Sequence, residues 1–271
     1  MYQAFLLAIK GKAAQEAGWV FRLESELLSL QRELLSGSYD PGKFANFFVC
    51  DPKKRLISAA PFRDRVVHHA LCRISQPFFE RSFINDSYAN RKGKGSHRAI
   101  ERFQKFSKLH TYVLKCDIQG FFQNIDHLVL KSQIRKIISC TSTLQLIDVI
   151  IDHYESPKDE LQYFSGDNLF TPVERRSGLP IGNLTSQIWG NLYLNDFDHF
   201  VKEQLRCKAY IRYVDDFVLF SNCKKELWLW LNELHSYLGG LRMMLHKNKT
   251  QIHTCSQAVP FLGFKILGLP I

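Results

Sequence analysis

The segment Tyr210-Ile211-Arg212-Tyr213-Val214-Asp215-Asp216-Phe217-Val218-Leu219-Phe220 decides how the rest of the chain is read. Two adjacent carboxylates stand between two runs of β-branched and aromatic residues. Each run has the composition of a short strand, and Asp215-Asp216 between them reads as a tight turn. Two ionised carboxylates side by side repel, so a cation is expected beside them. Hard oxygen ligands suit Mg²⁺ or Mn²⁺. An isolated Asp-Asp pair is ordinarily a solvated turn. The apolar flanks and the partners found elsewhere in the chain argue instead for a site.

The first partner lies upstream. Residues 112–116 form an apolar strand that ends at Asp117. A carboxylate where a buried strand runs out meets the 215–216 turn if the two strands are neighbours. Carboxylates that hold two metal ions about 3.5–4 Å apart serve nucleotidyl transfer. Asp126, ahead of a helical run from His127, reads as an N-cap and stays outside this set.

Composition narrows the partners. The chain has 271 residues, 45% hydrophobic content and a net charge of +10, with 36 Lys and Arg against 26 Asp and Glu. That is enough for a sizeable core in one large domain or two coupled subdomains, and the charge favours polyanions. The seven cysteines are scattered and odd in number, with no Cys-x-x-Cys pair. They read as reduced thiols of a cytoplasmic protein, without a disulfide frame or zinc site. The apolar patch at 4–9 is too short for a membrane span and lacks a cleavage-site pattern, so no membrane association is expected.

Taken in order, residues 1–36 read as helical, and the Gly37 to Gly42 stretch breaks them. A strand over 44–50, a basic turn at Pro52-Lys53-Lys54-Arg55 and a strand over 56–59 make a hairpin with cations at its tip. Its functional reading is a flap over a triphosphate with Arg55 as the forked donor; taken alone, a solvated charged turn is the better reading. A helix follows over 66–79, with Asp64 near its start. His68 and Cys72 share a face of it, which reads as packing. The segment Asn90-Arg91-Lys92-Gly93-Lys94-Gly95 interleaves cations with glycines before a helix from Ser96, a good phosphate contact. Helices are expected over 128–138, 144–154, 188–205 and 224–238, the last ended by Gly239-Gly240, with a further strand after it. Residues 177–187 form a tight loop. The whole is an α+β fold with an antiparallel sheet.

With these residues in view, the chain resembles a bacterial reverse transcriptase from about residue 40 to 265. Arg55 with 61–65 and residues 87–99 resemble its two fingers motifs. Asp117 with Phe122 resembles the palm motif with the first metal-binding Asp. Residues 177–187 resemble the template and substrate loop, and Tyr213-Val214-Asp215-Asp216 its hallmark hairpin. Lys249-Thr250 looks like the motif whose Lys assists pyrophosphate departure, and 261–264 like the primer-grip turn.

The resemblance implies an α+β right-hand polymerase of fingers and palm. Residues 1–39 would be an N-terminal extension, 40–110 fingers, 111–127 palm, 128–176 a helical insertion and 177–271 palm with the primer grip. The basic helical thumb of that family is expected to be absent, truncated or supplied by a partner. It implies two Mg²⁺ ions (or Mn²⁺) held by Asp117, Ile118, Asp215 and Asp216, with Lys249 also catalytic. Lys53, Arg55, Arg91, Phe122, Ile181, Gly182 and Gln187 would contact substrate, Phe122 standing under the sugar. Template RNA, primer or cDNA, dNTPs and a basic accessory protein are the implied partners.

The loop Ile181-Gly182-Asn183-Leu184-Thr185-Ser186-Gln187 and the phrase Arg63 to Ala70 look like the enzymes of diversity-generating retroelements. Group II intron, retron and abortive-infection enzymes share much of the pattern. A non-catalytic RNA-binding scaffold is the reading from another class.

Overall fold

The computed structural model describes residues 1–10, 17–50, 54–157 and 160–267. They fall into two units. One comprises Met1–Arg81, His127–Pro157 and Arg176–Trp189; the other comprises Ser82–Asp126, Lys158–Arg175 and Gly190–Ile271.

The first unit is helical with one hairpin. Its N-terminal stretch is three helices, Tyr2–Ala8, Ala17–Phe21 and Leu23–Ser36, and Gly37 at φ +70° ends the last. Strand β1, Ala45–Cys50, runs antiparallel to β2, Lys54–Ala59. Arg55 is a strand residue opposite Val49, and Lys54 faces Cys50, so neither belongs to the turn that the sequence suggested. Lys53 lies outside the described residues.

The long helix spans Phe62–Ser82 and begins before the expected 66. The cause is Asp64, which does more than meet the helix dipole. Its buried carboxylate accepts from Tyr39 Oη and from the Gly42 N–H, each at 2.8 Å, and so fastens the helix start to the preceding turn. His68 and Cys72 are buried on this helix. Burial pushes the imidazole down to about 4 and the thiol up to about 12, away from the charged forms. Both are packing residues, as their spacing suggested.

The second unit holds a four-stranded antiparallel sheet. In chain order its strands are β3 (Tyr112–Asp117), β4 (Tyr210–Tyr213), β5 (Asp216–Ser221) and β6 (Gln251–Thr254), and their spatial order is β4-β5-β3-β6. Residues 217–220 are all buried, because the sheet is covered on both faces. Phe217 meets Phe197 on one side, with ring centroids 5.2 Å apart. Phe220 meets Phe103 of the helix Ser96–Leu109 on the other, at 5.0 Å. That is why the strand reads as a continuous apolar run without alternation.

Three boundaries depart from the sequence reading. Residues 188–205 are not one helix: Leu184–Tyr193, Asn195–His199 and a π-turn Phe200–Gln204 follow one another. Gly239 and Gly240 lie inside the helix Lys224–Gly240, and the chain reverses at Arg242, φ +59°, where the Met243 N–H reaches the Leu238 carbonyl at 2.9 Å. The strand after that helix is β6, while Leu245 makes only an isolated bridge to Ile118. A last hairpin pairs β7 (Ala258–Phe261) with β8 (Phe264–Leu267). Its two-residue tip, Leu262-Gly263, takes positive φ at both positions, as a twisted hairpin requires. Among the described residues no helix is long and apolar enough to cross a membrane.

Candidate active site

Strand β3 is paired along its whole length with β5, and its last residue, Asp117, stands directly opposite Asp216. The turn of the β4–β5 hairpin is Val214-Asp215, not Asp215-Asp216; Asp216 is already the first residue of β5, opposite Tyr213. The difference matters, because being in a strand is what fixes Asp216 across from Asp117. The Ile118 N–H then donates to the Asp215 carbonyl at 3.1 Å, which ties the turn to the end of β3. Two carboxylates on neighbouring strands, Asp117 and Asp216, and a third in the adjoining turn, Asp215, therefore belong to one corner of the sheet.

Two lysines answer the negative charge. Lys249 Nζ donates to Asp117 Oδ1 at 2.5 Å. Lys249 follows the turn in which the His246 N–H takes the Asp117 carbonyl at 2.7 Å, so the same strand end positions both partners. Lys115 Nζ lies 3.7 Å from Asp216 Oδ2. Asp216 Oδ1 is buried with no hydrogen-bond partner. Burial first, and then the charges of Asp117 and Asp215, push the Asp216 carboxyl up to about 7 against the pull of Lys115 and Lys249.

Among the described residues no group of three His, Cys, Asp or Glu side chains is gathered as a ready metal cluster. The donor chemistry nevertheless fits a hard divalent cation. Asp117 and Asp216 are oxygen ligands fixed by backbone pairing, one oxygen of Asp216 is orphaned, and burial, with the charges of Asp117 and Asp215, disfavours the ionised Asp216 that a bound cation would stabilise. Asp117, Asp215 and Asp216 are the side chains able to hold it, and Ile118, being apolar, has only its main chain to offer.

Phe122 sits in the one-turn helix Phe121–Asn124, five residues past Asp117 in the same unit. Its ring packs against Gly190: a Cβ there would come 3.1 Å from Phe122 Cε1 and 3.2 Å from Phe121 Cε1. Arg91 is also in this unit. Its Nη1 donates to the Ile84 and Ser87 carbonyls at 2.6 and 3.0 Å, and its guanidinium lies over Phe83, so these contacts brace its own loop.

Arg55, Ile181, Gly182 and Gln187 belong to the other unit. The loop carrying Ile181 is stitched to β2. Asn183 Oδ1 accepts from the Ala60 N–H at 3.1 Å, Asn183 Nδ2 donates to the Ser58 carbonyl at 2.7 Å, and the Ser58 N–H donates to the Ile181 carbonyl at 3.1 Å. Gly182 stands at φ +108°, and a Cβ added there would come within 2.9 Å of Ile57 Cγ2, so glycine is required twice over. Gln187 and Gly182 are exposed.

Sequence reasoning missed the buried support of the hairpin. Arg212 and Asp198 have no solvent exposure and form a two-point ion pair, Nε to Oδ1 and Nη2 to Oδ2, both 2.7 Å. The available signal was an Arg in the middle of an apolar strand, which demands a buried acid somewhere.

The family model described as reverse transcriptase (RNA-dependent DNA polymerase) matches residues 50–266. The chain is 26% identical to the protein YkfC of Escherichia coli K12, over 91% of this chain and 72% of that protein. It is 22% identical to the group II intron-encoded protein LtrA of Lactococcus lactis, over 90% of this chain and half of LtrA. Among solved structures, apo telomerase from Candida tropicalis shares the fold with a TM-score of 0.62 at 14% identity, over 90% of this chain and 58% of the telomerase chain. The fold is thus the α+β fingers and palm of a polymerase, and with that match over most of its length the chain belongs to the reverse transcriptase (RNA-dependent DNA polymerase) family.

Proposed function

We propose that this chain is an RNA-directed DNA polymerase that extends a primer 3′-hydroxyl with dNTPs along an RNA template. The observation that carries the reading is the register pairing of Asp117 with Asp216, with Asp215 in the adjoining turn. Asp117, Asp215 and Asp216 are assigned to hold two Mg²⁺ or Mn²⁺ ions, with the Ile118 main chain beside them. When bound, the ions supply Lewis acidity at the attacking hydroxyl and the departing pyrophosphate. Lys249, which holds Asp117, is assigned to donate charge or a proton to the leaving group. Arg55 of the hairpin, together with Lys53 and the basic loop around Arg91, is assigned to neutralise phosphates. Phe122 is assigned to exclude a 2′-hydroxyl. Gly182 and Gln187 would contact the template or incoming nucleotide. The same reading assigns 40–110 to fingers, 111–127 and 177–271 to palm, 128–176 to an insertion and 1–39 to an extension.

The test is primer extension on an annealed RNA template with Mg²⁺. The chain should extend the primer, and Asp117→Ala or Asp215→Ala should abolish extension while leaving the fold intact. Activity surviving in either variant would remove the metal assignment.

The finer role proposed is error-prone copying in a diversity-generating retroelement, together with a basic accessory protein. It is supported by the Ile181-to-Gln187 loop, which begins with apolar Ile181; the reading assigns to that residue the loss of a polar contact near the template base. Misincorporation at template adenines should fall in Ile181→Gln; unchanged error rates would discard the idea. The likeness to LtrA favours a second reading, a group II intron-like enzyme. A genomic pair of near-repeats differing at adenines decides for the first, and a surrounding intron decides for the second.

A further inference from the structure

The turn that carries Asp215 is strained, and one guanidinium holds it. Val214 is β-branched and adopts φ +56°, in the left-handed region that such residues avoid. Its carbonyl accepts a hydrogen bond from Arg212 Nη1 at 3.1 Å. The rest of the Arg212 fork is fully engaged behind the turn. Nε and Nη2 grip Asp198, Nη1 also reaches Asn191 Oδ1 at 3.3 Å, and Nη2 reaches the Asn191 carbonyl at 3.2 Å. Tyr210 Oη donates to the same Asp198 carboxylate at 2.7 Å. The Arg212 main chain is fixed as well: its N–H donates to the Asp86 carbonyl at 3.0 Å, and its carbonyl accepts from the Tyr88 N–H at 2.9 Å.

A planar fork locked at so many points is a rigid arm, and the part of it that reaches forward ends on the strained peptide. Beyond that peptide come the Asp215 carbonyl, which meets the Ile118 N–H, and Asp216, which meets Asp117.

We propose that Arg212 is a positioning residue. It holds the Val214 peptide in its left-handed conformation so that Asp215 and Asp216 face Asp117 at the spacing cation binding needs, and Asp198 and Asn191 aim it. This rests on the polymerase reading of the same acids. Arg212→Lys keeps a cation beside Asp198 but cannot grip that carboxylate at two points and still reach Val214. Two readouts without substrate apply: Mn²⁺ binding to the purified chain by electron paramagnetic resonance, and hydrogen exchange of the Ile118 amide.

In Arg212→Lys the Mn²⁺ affinity should fall at least tenfold and the Ile118 amide should exchange at least tenfold faster. In primer extension, kcat should drop with the KM for dNTP little changed. Val214→Gly, which takes positive φ without strain, should restore most of the Mn²⁺ affinity when added to Arg212→Lys. Wild-type binding and exchange in Arg212→Lys, or a loss that Val214→Gly does not relieve, would overturn the assignment, since a general packing role predicts no such rescue. Should Arg212→Lys fail to fold, Asn191→Ala keeps the ion pair and removes one aiming contact. A several-fold loss in both readouts then supports the proposal, and no change overturns it. An unmodified chain that binds Mn²⁺ through this turn but never extends a primer would sink the polymerase reading and leave the clamp standing.

Discussion

At the scale of single residues, what matters is which charges the fold leaves compensated. Asp117 has Lys249 on it; Asp216 has Lys115 at a longer distance and one oxygen with no partner. Removing the ammonium with Lys249→Gln should lower kcat for primer extension by roughly two to four orders of magnitude, the range of a lost general acid. Single-turnover extension measures it, and an unchanged rate would return Lys249 to a purely structural partner of Asp117.

His68 gives a prediction about stability. Its imidazole is buried, its Nδ1 has no partner, and its titration is lowered from 6.5 to about 4. A base whose folded pKa is depressed contributes stability that is present above its unfolded pKa and lost as pH falls through its folded value. The native state should therefore lose roughly 3 kcal/mol through this group between about pH 6.5 and 4. Urea unfolding of the parent and His68→Leu checks this: the variant should gain on the parent only below about pH 6.5. A difference independent of pH would show that the histidine is not held neutral.

At the scale of elements, two close approaches carry weight. Gly190 lies close against the Phe121 and Phe122 rings, with no room for a methyl group unless the rings give way by a few tenths of an ångström. If Phe122 is the sugar gate, Phe122→Ala should raise ribonucleotide incorporation by an order of magnitude or more. Gly190→Ala should shift the same ratio by several-fold by pushing the ring. Competition between ribo- and deoxynucleotides reads both, and a ratio unmoved in Phe122→Ala would return the ring to the core. In the other unit, Asn183 binds its loop to β2 through buried hydrogen bonds. Asn183→Leu leaves backbone groups of Ser58 and Ala60 short of a partner and should cost about 1–3 kcal/mol. Thermal unfolding measures the loss, and an unshifted transition would mean that the loop is held by other contacts.

At the scale of the whole molecule, a net charge of +10 predicts RNA binding with a steep salt dependence. Each phosphate contact removed should reduce the slope of log K against log salt by about 0.7 for a single strand. Arg55→Ala is the test: affinity should weaken similarly across RNA sequences and the slope should flatten by about that amount. An unchanged slope would leave Arg55 a solvated strand residue.

The chain by itself determined the class. A β-branched run, Asp-Asp and another β-branched run, together with an apolar strand ending in Asp117, state the antiparallel sheet and its acids, because strand composition and buried charge are local properties. Tertiary structure decided the rest. It moved the turn back by one residue and set Asp216 in a strand, because backbone pairing, which no local pattern reports, fixes register. It kept Gly239 and Gly240 in the last helical turn, which the Leu241 N–H closes onto the Tyr237 and Leu238 carbonyls. It also supplied the Arg212–Asp198 grip, whose partners lie 14 residues apart and meet only once the sheet has closed over them. A charge in an apolar strand announces that a counter-charge exists, and only the folded chain can say which one it is and what the pair holds in place.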